Sequence, residues 1–228
     1  MMKAEINRSR QQGMTLVELL VTTLILGLIL SAATASFIAA SNGINSTDNR
    51  VENLGEAQKL IATTTKDLRT AISVNTGQTA AFIKAQPTEV EFYANLDTSA
   101  TATAPSKLRI YVDTANPAAQ QLIETIQQPN LPNADPPAYG TYAARIRHIG
   151  RYVANPAAEP IFRYYDLDGN LLTLSATPTQ AELNKIAVIK VKLMVRKASG
   201  FKNGFVTIEN RVRLPNIIYR QVQTLPQT

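Results

Sequence analysis

The chain has 228 residues, 45% hydrophobic and 18% charged, with 23 Lys+Arg against 17 Asp+Glu and a formal net charge of +6. That charged fraction is below the roughly 25% of ordinary soluble domains, yet the mean hydropathy is close to neutral, so the apolar residues must be gathered in one place. Cysteine is absent, which excludes a disulfide framework, a thiol nucleophile and thiolate metal sites, and the single histidine, His148, argues against a histidine-rich metal centre or a Ser-His-Asp triad.

The apolar residues sit near the N-terminus. Leu19 to Ala40 reads LLVTTLILGLILSAATASFIAA, without a charge. At about 1.5 Å per residue a helix of that length covers about 33 Å, enough for a hydrocarbon core of about 30 Å. The segment before it, MMKAEINRSRQQG, carries Lys3, Arg8 and Arg10 against Glu5, a flank expected to stay in the cytoplasm and send the rest of the chain outward. A secretory signal cut near Ala33-Thr34-Ala35, a plain signal anchor and a buried core helix are the simpler readings. Glu18 separates them. It lies between Val17 and Leu19, where an ionised carboxylate costs about 2.5–3.5 kcal/mol on insertion scales, and such a residue calls for a partner, most naturally a cation.

The stretch Gly13-Met14-Thr15-Leu16-Val17-Glu18-Leu19-Leu20 resembles the type III signal of type IV pilins and pseudopilins. In that family a prepilin peptidase cuts after the glycine and methylates the new N-terminal amine. The resemblance implies that Gly13 ends a cleaved leader, that Met14 becomes the methylated first residue, and that Glu18 pairs with the N-terminal amine of a neighbouring subunit during assembly. Met14 departs from the phenylalanine the family often has there. It implies further partners: prepilin peptidase, other pilin subunits, the lipid bilayer, and a membrane-bound assembly platform driven by a separate ATPase, since this chain has no GxxxxGK nucleotide loop. The implied location is the cytoplasmic membrane, single-pass with the N-terminus inside, and then a pilus or secretion filament. The resemblance implies no enzyme activity and no cofactor.

Beyond Ala40 the helical pattern continues. Ile44, Val51, Leu54, Ile61, Leu68 and Ile72 mark one predicted face, polar residues fill the others, and Asn75-Thr76-Gly77 is the predicted stop. A helix from Met14 to about Ser73 would be about 90 Å long. The expected organisation is residues 1–13 leader, 14–40 transmembrane or filament-core half of the helix, 41–75 its amphipathic half, and 76–228 a β-rich globular domain.

In that last part, Thr88–Leu96, Lys107–Asp113 and Gln121–Gln127 read as short strands, with a turn at residues 116–119 between the last two. The Asn95–Pro105 stretch and the proline-rich Gln128–Gly140 stretch read as irregular connections, and strands resume over Thr141–Ala154. Ile161–Leu167 and Asn170–Leu174 flank Asp168-Gly169, a hairpin dipeptide. Thr179–Lys185 reads as a short helix, and Ile186–Arg196 and Phe205–Leu214 as a pair of antiparallel strands. The predicted class is α+β, a long helix on an antiparallel sheet. Residues 160–216 also resemble minor pilins and pseudopilins of the PilW/PulJ kind in spacing and residue type.

Two clusters invite binding. Asp166-Leu167-Asp168-Gly169-Asn170 has the start of a calcium loop, but position twelve would be Thr177 rather than an acid, so a hairpin turn explains it and no metal site is expected. Tyr142, Arg145, Arg147, His148, Arg151 and Tyr152 form the densest basic and aromatic group. Strict alternation would put Arg145, Arg147 and Arg151 on one face, which suits DNA phosphates as well as it suits a solvated sheet. The alternative function is therefore a competence-type pilin that binds DNA through that face.

Overall fold

The computed structural model describes residues 14–74, 79–96, 104–117, 119–131, 134, 136–196 and 205–217. The chain divides into two compact units, Met1–Thr47 and Asp48–Thr228. One helix, α1 (Leu16–Leu68), runs through both. From Leu19 to Ala40 the helix carries no charge, and its large apolar side chains are exposed. Its hydroxyls turn back on their own backbone: Thr22 Oγ1 donates to the carbonyl of Glu18 (2.8 Å), Ser31 Oγ to Leu28 (2.8 Å), Thr34 Oγ1 to Leu30 (2.8 Å) and Ser36 Oγ to Ala32 (2.9 Å). Each of these polar side chains is thereby satisfied within the helix, as a lipid environment requires.

The second unit is α+β. Its first sheet is an antiparallel meander of β1 (Phe82–Ala85), β2 (Glu89–Ala94), β3 (Ser106–Asp113), β4 (Gln121–Gln127) and β5 (Arg145–Arg151), in that spatial order. A second, three-stranded antiparallel sheet holds β6 (Phe162–Tyr165), β7 (Val188–Val195) and β8 (Val206–Arg213). The period-2 pattern read from the sequence appears directly as burial: β2 alternates half-buried and buried, and in β7 Ile189, Val191, Leu193 and Val195 all point inward. The sheets meet at Val153, which bridges Val195 and donates its N–H to the Gln120 carbonyl (3.1 Å). Tyr152 makes that change of sheet possible by adopting φ 65, a conformation that costs a side-chain-bearing residue roughly 1 kcal/mol or more.

A single core joins the sheets to the C-terminal part of α1, with Phe82 and Phe92 (ring centroids 5.9 Å apart), Leu108, Ile110, Leu122, Val191, Leu60 and Leu68 among its members. Each large side chain so buried contributes about 1.5–3 kcal/mol. The short helix α2 (Gln180–Leu183) starts in a capping box, Thr179 with Glu182, and buries Leu183.

Several expectations need correcting. The helix ends at Leu68 rather than near Ser73, because Ala71 bridges Ala94 and Ile72 donates its N–H to the Tyr93 carbonyl, giving the chain over to the sheet. The predicted stop at residues 75–77 and much of the loop at 95–105 lie outside the described residues. Of the predicted apolar stripe, Ile61 and Leu68 are buried, but Ile44, Val51 and Leu54 are exposed. On a straight helix each step of seven drifts about 20° and the step of three from Val51 to Leu54 about 60°, so Ile44 and Ile61 stand about 100° apart. The docked face is Asn53, Ala57, Leu60, Ile61, Thr64, Thr65, Asp67 and Leu68, rich in small and polar residues. Asn170–Leu174 is not a strand: Leu171 makes one bridge to Tyr165, and β7 is the main partner of β6. Thr141–Ala154 shortens to β5, and β1 was not anticipated.

Candidate functional site

The N-terminal site is built on the first turn of α1. Thr15 precedes the helix, and its carbonyl accepts the first helical hydrogen bond, from Leu19 N–H (3.1 Å). Its side chain accepts from the backbone N–H of Glu18 (3.2 Å). Glu18 reaches back in return: its Oε2 accepts from the Thr15 N–H (3.0 Å) and from the Thr15 hydroxyl (3.2 Å). This reciprocal arrangement is a capping box, with Glu18 at the third helical position. It satisfies two backbone donors that a helix start would otherwise leave unpaired, and it places a carboxylate at the positive end of the helix dipole. The carboxylate that looks costly inside an apolar stretch thus has a partner in its own chain. The T-x-x-E spacing of Thr15 and Glu18 was the sequence signal for it, and Thr15 is the residue that sequence reasoning missed. Met14 is exposed beside it, whereas Gly13 lies outside the described residues.

The basic cluster is dispersed by a bulge in β5. Ile123 pairs with His148 but Leu122 pairs with Gly150, so Ile149 is an extra residue and the side-chain alternation reverses there. Arg147, opposite Glu124, and Arg145, opposite Ile126, share one face, while Arg151, opposite Gln121, lies on the other. The expectation that all three share a face therefore fails. Arg147 is committed within the fold, donating to Asp67 Oδ2 (2.9 Å) and to Glu124 Oε2. Arg145 and Arg151 are exposed, Arg151 stacks over Tyr152 (5.9 Å), and His148 Nδ1 lies 2.8 Å from Gln121 Oε1. Asp166 is used up locally, its carboxylate accepting from the Asn170 backbone N–H (2.8 Å) and Nδ2 (3.1 Å) around a turn in which Gly169 takes φ 86.

A family model described as the prokaryotic N-terminal methylation motif matches residues 8–34. That match supports the type IV pilin and pseudopilin family. It spans the basic flank, Gly13, Met14, the Thr15–Glu18 capping box and the start of the apolar helix. No curated protein and no solved structure matches the chain. Together with α1, the one helix among the described residues long and apolar enough to cross a membrane, the motif supports a membrane-anchored single-pass protein that is a pilin-like structural subunit.

Proposed function

We propose that the chain is a minor pilin or pseudopilin, of the PilW/PulJ kind, that a prepilin peptidase cuts after Gly13 and methylates at Met14. Residues 14–40 then hold it in the cytoplasmic membrane with the N-terminus inside and residues 76–228 outside. From there it enters a type IV pilus-like or type II secretion filament, drawn by an assembly platform and a separate ATPase. The observation that carries this reading is the methylation motif over residues 8–34 running straight into a helix whose third residue is Glu18.

Both Thr15 bonds fall on Oε2 of Glu18. Among the described residues Oε1 has no bond, so the capped carboxylate retains an acceptor for the methylated amine of a neighbouring subunit. A charge-assisted hydrogen bond of that kind is about twice as strong as a neutral one, and in the membrane it would neutralise both charges. Cleavage creates the amine, so the leader blocks assembly until it is removed. Co-expression with a prepilin peptidase and a filament system tests this: Glu18→Ala should be processed like the wild type but be depleted from sheared filaments. Incorporation of Glu18→Ala at the wild-type level would overturn the pairing role. The arginines do not support a DNA-binding reading beside it, because Arg147 is already paired and Arg145 and Arg151 lie on opposite faces.

A further inference from the structure

The last turn of α1 meets β4 and β5 through buried charge. Asp67 is 6% exposed and Glu124 is 0% exposed. Both bond to the same guanidinium, that of Arg147, which contacts Asp67 through Nη2 and Glu124 through Nε. One cation therefore serves two buried carboxylates. Around them, Lys66 on α1 is exposed, Ile110 across on β3 is apolar, and Arg145 further along the same face of β5 is exposed. Glu56, three turns earlier on α1, is occupied with the Arg151 N–H (2.8 Å).

Two details of the cluster favour a proton on Asp67 over two ionised acids. Glu124 Oε1 is buried with no hydrogen-bond partner, a condition that ordinarily costs about 1–3 kcal/mol. The Asp67 and Glu124 carboxylates are also held side by side, because each bonds a nitrogen of the same guanidinium. Two ionised carboxylates held so close repel, whereas a proton on Asp67 removes that repulsion.

We propose that Asp67 keeps a proton beside Glu124 and, with Glu124 and Arg147, forms a latch that holds the last turn of α1 on the five-stranded sheet while the proton is bound and loosens it when the proton leaves. The latch stands independently of the pilin reading, because it is built wholly from contacts inside the second unit. Its working range follows from the surroundings. Burial first, and then the Glu124 charge, push Asp67 up to about 7, against the opposing pull of Arg147 and Lys66. The latch is then closed in mildly acid surroundings and eased in alkaline ones.

Amide exchange of the full chain in detergent micelles, read by mass spectrometry on peptides covering residues 57–68 and 145–151, tests the proposal. Between about pH 5.5 and about pH 8.5, corrected for intrinsic exchange, wild-type protection should fall about tenfold or more, the consequence of a linked proton released over at least one pH unit. Asp67→Asn, whose neutral amide can donate to Glu124, should remove that dependence while keeping protection at both pH values. Glu124→Gln serves the same purpose should Asp67→Asn fail to fold. Flat wild-type protection, or the wild-type slope in a folded amide variant, would overturn the latch.

Discussion

Gly150→Ala offers a demanding check on how α1 docks. Gly150 lies on β5 facing the helix, and a Cβ there would come within 2.5 Å of Glu56 Oε1, 2.8 Å of Leu60 Cδ2 and 2.9 Å of Leu60 Cγ. The three contacts are not equally forgiving. The Glu56 carboxylate can rotate away, but it then gives up the Arg151 N–H (2.8 Å), a charge-assisted bond worth about 1.5–3 kcal/mol. Leu60 is fully buried and cannot leave without displacing the helix, and overpacking of that kind costs about 1–3 kcal/mol. The expected loss is thus about 2–5 kcal/mol, a large part of the stability of an ordinary domain. Urea unfolding of the full chain in micelles, followed by near-ultraviolet dichroism of its tyrosines, would measure it. Leu60→Ala alone should cost about 2–5 kcal/mol by leaving a cavity. In the double variant the added methyl finds room, so the combined loss should fall short of the sum by at least about 0.5 kcal/mol. A Gly150→Ala protein within about 0.5 kcal/mol of the wild type, or strict additivity with Leu60→Ala, would refute the docking geometry.

Two further consequences follow from single residues. Thr15→Val keeps the shape of the first turn but removes the hydroxyl that bonds Glu18 in both directions. A loss of about 0.5–2 kcal/mol at the helix start should appear as faster amide exchange at residues 16–19 in micelles, and unchanged exchange there would contradict the capping role. Asp67 also sets the sign of the pH dependence of stability. Its folded value of about 7 lies above the ordinary 3.8, so the native state keeps a proton that the unfolded chain has released. The stabilisation is complete below about 3.8 and is lost as pH rises through about 7. The slope is at most about 1.4 kcal/mol per pH unit for one proton. Urea midpoints that rise from about pH 5 to about pH 8 in the wild type would carry the opposite sign and refute the assignment.

The parts of the molecule governed by local pattern were legible in the sequence. β4 falls on Gln121–Gln127 as predicted, β7 and β8 pair antiparallel over the predicted runs, and Thr179 caps α2 where the sequence placed a helix after Pro178. Each depends on alternation or on a cap within a few residues. The docked face of α1 was not legible, since tertiary packing chose Ala57, Thr64 and Asp67 over the more apolar Ile44 and Val51. Small residues let the helix approach Gly150 closely, a requirement set by β5 and invisible in the helix itself. The arginine cluster was misjudged for a related reason. The bulge at Ile149 moves Arg151 to the other face, and a carboxylate 80 positions away in sequence claims Arg147. At the N-terminal site the motif and Glu18 were plain, but the contribution of Thr15 emerged only when the carboxylate was seen to fold back on it.

The pilin reading turns on where the mature chain begins. Intact-mass and N-terminal peptide mass spectrometry of the protein, purified from membranes of cells that contain a prepilin peptidase, would settle that point. The expected result is a chain starting at Met14 that carries one methyl group on its α-amine. A mature chain starting near Ser36, or one retaining residues 1–13 in the presence of active peptidase, would contradict it.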